Sequence, residues 1–134
     1  MSIPRGIRNN NPGNIRHGDK WQGLSPDQPD SAFCSFTTAE YGIRALGKVL
    51  LNYQAKHNLN TVRGLISRWA PPNENNTTAY VAGVARFLGV DPDAKITVAE
   101  HLLPLTRAII QHENGQQPYS DDVIAKGVGM ALGA

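Results

Sequence analysis

Apolar residues recur at helical spacing through most of the chain beyond position 36, and at no regular spacing before it. Ile43, Leu46, Leu50 and Tyr53 lie on one helical face behind Thr37-Thr38-Ala39-Glu40, a Thr-x-x-Glu capping box. This pattern predicts a helix reaching about Lys56. Val62, Leu65, Ile66 and Trp69 predict a second, capped by Asn60 and stopped by Pro71-Pro72. Tyr80, Val81, Val84 and Phe87 predict a third, starting at Asn76 or Thr77 and ending near Gly89. Thr97-Val98-Ala99-Glu100 is another capping box, opening a run in which Pro104 makes either a kink or a fresh helix start. Ser120-Asp121-Asp122 caps a last helix over residues 123 to about 132.

The first 31 residues are rich in Asn, Gly, Pro and Asp and read as loops. Short strands are expected at residues 13–16 and 32–36. Asn9-Asn10-Asn11-Pro12-Gly13-Asn14 must turn tightly; its amides either line a polar groove or form an ordinary turn cluster. Loop and strand first, then roughly five helices, make a mainly α fold (α+β) with a small N-terminal β element. At 134 residues, positions 1–134 form one domain.

Composition narrows the function classes. Hydrophobic residues at 40% and charged residues at 18% fit a globular protein with a real core. No run approaches a membrane span, and the opening residues lack the apolar stretch of a signal peptide. Any export is then expected to use another route or a larger assembly. A single cysteine, Cys34, excludes an intramolecular disulfide and reads as a small core residue. The 4 histidines stand apart, without metal-ligand spacing, so no metal or organic cofactor is expected. A net charge of +2 suits approach to an anionic polymer such as a bacterial cell wall. It speaks against a nucleic-acid module built on Arg5, Arg8, Arg16 and Lys20.

The strongest chemical candidate is Glu113. Leu102, Leu105 and Ile109 fall at i, i+3 and i+7, and Glu113 continues their face just before the Asn114-Gly115 stop. An acid aimed at the core side of a helix end is expected to be favoured in its protonated form by desolvation and the helix dipole. General-acid cleavage of a glycosidic bond needs such a group. The bland alternative is a surface Glu at a helix end. Glu40 and Glu100 read as capping partners, whereas Glu74 sits in a polar stretch that could border a cleft. Trp21, Trp69, Tyr41, Tyr80 and Tyr119 offer rings on which sugar faces stack, or simply pack in the core.

These residues carry a resemblance. Glu113-Asn114-Gly115 after an apolar helix resembles the Glu-Ser-Gly signature of the lysozyme and lytic transglycosylase superfamily. Asn11-Pro12-Gly13-Asn14-Ile15-Arg16, Trp21-Gln22-Gly23 and Tyr41-Gly42-Ile43 resemble the segments downstream of the catalytic Glu in bacterial glucosaminidase domains of that superfamily. Glu74 to Val81, with Val84, resembles the Glu-Thr…Tyr-Val…Val helix of lytic transglycosylases. The order departs from the family. Its acid-bearing helix comes first, whereas here it comes last, and no glutamate precedes Glu40. A circularly permuted, lysozyme-like domain accounts for this. The opening Arg5-Gly6-Ile7-Arg8-Asn9-Asn10-Asn11 also resembles that of small phage and prophage proteins.

The resemblance implies a peptidoglycan-cleaving enzyme acting between N-acetylmuramic acid and N-acetylglucosamine, most readily a lytic transglycosylase, which needs one acid. Glu113 would be that acid, Tyr80 would orient it or the N-acetyl group, and Asn14, Glu74, Thr77, Trp21 and Tyr119 would bind substrate or support the site. The alternatives are a muramidase, with a second carboxylate among Asp19, Asp27, Asp30 and Glu74, or a non-catalytic wall-binding module of a phage virion. The expected partners are bacterial peptidoglycan and other virion proteins, with no nucleic acid, and the chain is expected to be a monomer.

Overall fold

A computed structural model describes residues 3–73 and 75–133, and the fold is mainly helical. The helices are α1 (Arg5–Arg8), α2 (Ala39–His57), α3 (Val62–Trp69), α4 (Thr77–Leu88), α5 (Val98–Asn114) and α6 (Asp121–Ala131). Their apolar stripes converge on one core. Ile43, Leu46 and Leu50 of α2 meet Val62, Leu65 and Ile66 of α3, Leu102, Leu105 and Ile109 of α5, and Ile124 of α6, all without solvent exposure. Each such side chain contributes roughly 1.5–3 kcal/mol by leaving water. Phe87 departs from the expected pattern. It is 57% exposed and marks the outer edge of α4, one turn past the last buried contact of that face, Val84.

The helix ends show what local chemistry decided. Thr38, not Thr37, caps α2, its hydroxyl accepting from the Tyr41 amide. Thr37 instead donates to the Gly23 carbonyl, so the first Thr-x-x-Glu box does not form. Thr61 rather than Asn60 caps α3, accepting from the Gly64 amide, because the Asn60 carbonyl is engaged by the Ile96 amide. Asn76 caps α4 and Gly89 ends it at φ 73°. Thr97 begins α5 with no side-chain capping bond. The helix runs through Pro104 without restarting. The Glu100 carbonyl, which loses its helical partner to the proline, belongs to an exposed residue.

α2 and α6 form the most extensive helix pair, and α5 packs on α2, α4 and α6. Small residues set the α2–α6 distance. A Cβ on Gly127 would lie 2.6 Å from Ile43, and one on Gly47 2.7 Å from Ala131.

The N-terminal region is less sheet-like than its sequence suggests. In place of two strands there are isolated antiparallel bridges, Arg16 with Phe33 and Leu24 with Phe36. Side-chain amides take over the work of a ladder. Asn11, fully buried, donates to the Ile15 and Cys34 carbonyls at 2.9 Å and accepts from the Ile15 amide at 3.0 Å. Asn10 and Asn14 sit at φ 52° and 51°, left-handed conformations that Asn tolerates and a strand does not. The short helix α1, unforeseen in this Asn- and Gly-rich opening, is held by an ion pair between Arg5 and Asp30. Cys34 is buried in the core.

Candidate active site

The end of α5 places Glu113 against two other parts of the chain. Leu102, Leu105 and Ile109 anchor one face of the helix in the core, and Glu113 emerges on that face, half-buried, one residue before the Asn114 end. Gly115 then takes φ 69° and turns the backbone away. The Tyr80 hydroxyl donates to Glu113 Oε2 at 2.9 Å, and the Asn14 amide nitrogen stands 3.4 Å from Oε1. The acid is thus held by α4 and by the N-terminal turn.

Tyr80 is 1% exposed, and burial pushes its phenol well above the usual range. The neighbouring Glu113 charge and its hydrogen bond act in the same direction, and Trp69 opposes them. The phenol therefore remains a donor throughout the working pH range. His112 stacks on the Tyr80 ring, with centroids 3.5 Å apart and planes at 19°, and fixes its orientation from the other side.

The turn that presents Asn14 is fastened to the same helix end. Asn114 donates to the Pro12 carbonyl at 2.9 Å and to the Ile110 carbonyl at 2.9 Å. Gly6 fits beneath: a Cβ there would meet the Asn11 carbonyl at 2.8 Å and the Asn114 and Asn14 amide oxygens at 2.8 and 2.9 Å. Gly13 passes close to Trp69 and Leu46 in the same way, at 3.2 and 3.3 Å.

Glu113 opens onto a cleft of about 380 Å³, lined also by Gly13, Asn14, Ile15, Arg16, Phe33, Val49, Tyr53, Trp69, Ala70 and Asn75. That size suits a sugar unit with its substituents. Trp69, Tyr53 and Phe33 supply aromatic surface, and Asn14 and Asn75 supply amides.

Of the residues singled out in the sequence, Glu113, Tyr80 and Asn14 come together, and Trp69 joins them. Thr77 lies off the cleft wall. It is buried, and its hydroxyl donates to the Ala70 carbonyl at 2.5 Å, tying the start of α4 to the end of α3. Trp21 and Tyr119 also lie off the wall, half-buried against the core. Burial raises the Tyr119 phenol to about 12. Glu74 lies outside the described residues. Asp30 is engaged by Arg5, Asn9 and the amides of Ala32 and Phe33, and Asp19 and Asp27 are exposed and away from the wall. Among the described residues of the wall, Glu113 is the sole carboxylate. Among the described residues no group of His, Cys, Asp and Glu is placed to hold a metal ion. No described helix is long and apolar enough to cross a membrane.

Sequence reading missed Arg16, Phe33, Val49, Tyr53 and Asn75 as wall residues. Tyr53 follows Leu50 on the apolar face of α2 and reads as core, but its ring is only half-buried and lines the cleft. Arg16 and Phe33 are brought face to face by a single backbone bridge, which leaves no trace in periodicity.

No protein-family model matches the sequence. The chain is 39% identical over 127 residues to Protein P5 of Pseudoalteromonas phage PM2, an alignment that covers 92% of the chain and 79% of that protein.

Proposed function

This chain belongs to the family of Protein P5 of Pseudoalteromonas phage PM2, and we propose that it is a peptidoglycan-cleaving enzyme, a lytic transglycosylase whose catalytic acid is Glu113. The observation that carries the reading is the carboxylate itself, half-buried at the α5 terminus, held by the Tyr80 hydroxyl and open to a cleft with aromatic and amide walls. Its architecture is read as a lysozyme-like helical domain in permuted order. The end of α5 abuts the N-terminal turn through Asn114 and Pro12, which supports reading that turn as the segment that follows the acid helix in lysozyme-like enzymes.

In the proposed reaction Glu113 gives its proton to the glycosidic oxygen between N-acetylmuramic acid and N-acetylglucosamine while positive charge develops at the muramyl C1. The same carboxylate then takes the proton of the muramyl C6 hydroxyl, whose oxygen bonds to C1 and closes a 1,6-anhydro ring. One bond breaks, one forms, and the proton count at Glu113 is restored without water. Tyr80 keeps the carboxylate in place through both transfers, and Trp69 and Tyr53 stack on sugar faces. Asn14 and Asn75 hydrogen-bond to N-acetyl groups. With Glu113 the sole wall carboxylate among the described residues, this route is favoured over hydrolysis. A retaining hydrolase needs a second carboxylate roughly 5 Å away, and an inverting one needs it about 6.5–9.5 Å away. Kinship with a phage protein supports a setting in the virion or in lysis, with the periplasmic wall as the target.

The test is digestion of purified peptidoglycan, with the products read by mass. Anhydromuramyl ends are expected. Reducing muramic acid ends would replace the transglycosylase with a muramidase, and an undigested wall under all conditions would leave only the binding-module reading.

A further inference from the structure

Among the described residues, the cleft wall carries one cation, Arg16, as well as one acid, Glu113. Arg16 lines it, exposed, on a backbone clamped on both sides: the Cys34 amide donates to the Ile15 carbonyl at 2.9 Å and the His17 amide to the Ala32 carbonyl at 3.2 Å. Its guanidinium carbon lies 4.9 Å from the centroid of the Phe33 ring, itself a wall residue. Arg5 sits over the same ring at 4.6 Å, but the two arginines differ in what they face. Arg5 is forked onto Asp30, its Nε and Nη2 at 2.5 and 2.6 Å from the two carboxylate oxygens. Arg16 makes no ion pair with any carboxylate among the described residues.

A guanidinium that is stacked, backbone-clamped and, among the described residues, without a carboxylate partner in a binding cleft is built to take a charged group from its ligand. Stacking orients the plane of the fork, and the fork matches a carboxylate by two parallel N–H donations. Poly-N-acetylglucosamine has no carboxylate. Peptidoglycan has them on every muramyl unit: in the stem peptide, or on the lactyl group where the peptide has been removed. Resting on the peptidoglycan reading above, we propose that Arg16 is a specificity-determining residue that binds a carboxylate carried by the muramyl side chain of the substrate. It selects walls over neutral aminosugar polymers.

The experiment compares wild type with Arg16→Gln, Arg16→Lys and, as a charge control away from the cleft, Lys126→Gln. The substrates are soluble uncrosslinked peptidoglycan, the same material with its carboxyls converted to amides, and strands stripped of stem peptides by an amidase. Loss of one charge-assisted bond predicts a rise of about tenfold in KM for Arg16→Gln on the native substrate, with kcat little changed. Arg16→Lys recovers part of it, and Lys126→Gln behaves as wild type. The gap between wild type and Arg16→Gln closes on amidated substrate. On stripped strands it persists if Arg16 accepts the newly freed lactyl carboxylate in place of the stem's, and disappears if it requires the stem carboxylate. A gap that is absent on native substrate, or undiminished on amidated substrate, overturns the proposal.

Co-sedimentation with purified sacculi, done in the Glu113→Gln background with and without Arg16→Gln, separates this claim from the reaction. Binding that depends on Arg16 in a protein whose wild type cleaves nothing sinks the enzyme and keeps the anion site. Cleavage that ignores Arg16 does the reverse. With neither, both fall.

Discussion

Tyr80 enters the site through a single atom. Its ring is buried and stacked on His112, and its hydroxyl alone reaches Glu113. Tyr80→Phe removes that donor and keeps the stack. A hydrogen bond to a charged group contributes about 1.5–3 kcal/mol, so kcat on peptidoglycan is expected to fall roughly 10- to 100-fold, with the melting temperature little moved. Unchanged turnover in the variant would remove Tyr80 from the account. A second residue, Asp30, governs the loop that carries Arg16 and Phe33. The Arg5 fork above all, then the Ala32 amide, hold its carboxyl far below the usual carboxylate range. A depressed folded-state pKa contributes stability above the unfolded value, about 3.9, and loses it as pH falls toward the folded one. Wild type should therefore exceed Asp30→Asn in urea midpoint at neutral pH, and the difference should shrink below about pH 4. A constant difference across that range would contradict the assignment. At this scale a helix face alone made Glu113 a candidate, whereas Tyr80 and Asn14 were singled out by the family resemblance; the structure sets both beside Glu113. The sequence did not disclose the wall partners Arg16, Phe33 and Tyr53, whose placement depends on which segments meet across the cleft.

At the scale of elements, periodicity located five helices, and capping chemistry placed their starts to within a residue or two. The errors came from competition. Thr37 donates its hydroxyl to the Gly23 carbonyl, and Thr38 caps α2 by accepting from the Tyr41 amide. α1 has only four residues, and its stability comes from the Arg5–Asp30 pair and the Asn114 end of α5, neither visible in a local window. The expected strands were replaced by bridges because Asn11 supplies from its side chain the bonds a ladder would make. The α2–α6 seam yields a paired prediction. Gly127→Ala drives a methyl into Ile43 at 2.6 Å and should destabilise the protein, by about 1–3 kcal/mol for an overpacked contact. Gly129→Ala, two residues on, meets nothing within 4 Å, and should stabilise by about 0.5–1 kcal/mol through the lower entropy of the unfolded chain. Denaturant melts of the two variants that shift in the same direction would show that the seam is not as tight as described.

For the molecule as a whole, the permutation proposed above rotates the chain order of one helical domain relative to a lysozyme-like enzyme, with α5 and α6 moved from front to back. Rotating it forward should then be tolerated. A chain running from residue 95 to 134, through a flexible Gly-Ser linker, and on from 1 to 94 opens an exposed turn and leaves the α2–α6 and α1–α5 contacts possible. Helical circular dichroism, cooperative unfolding and wall cleavage are expected to survive; a molten or insoluble product would count against the permutation. The mainly helical class was legible from the pattern of apolar residues, whereas the cleft was not, since it arises where the ends of α3 and α5 and the N-terminal turn converge. The most direct measurement of the account is turnover by Glu113→Gln on purified peptidoglycan, alongside its melting temperature and its binding to sacculi. The assignment of Glu113 as general acid predicts a fall in kcat of roughly 10²- to 10⁴-fold, with fold and binding retained. Cleavage within a few-fold of wild type would contradict it.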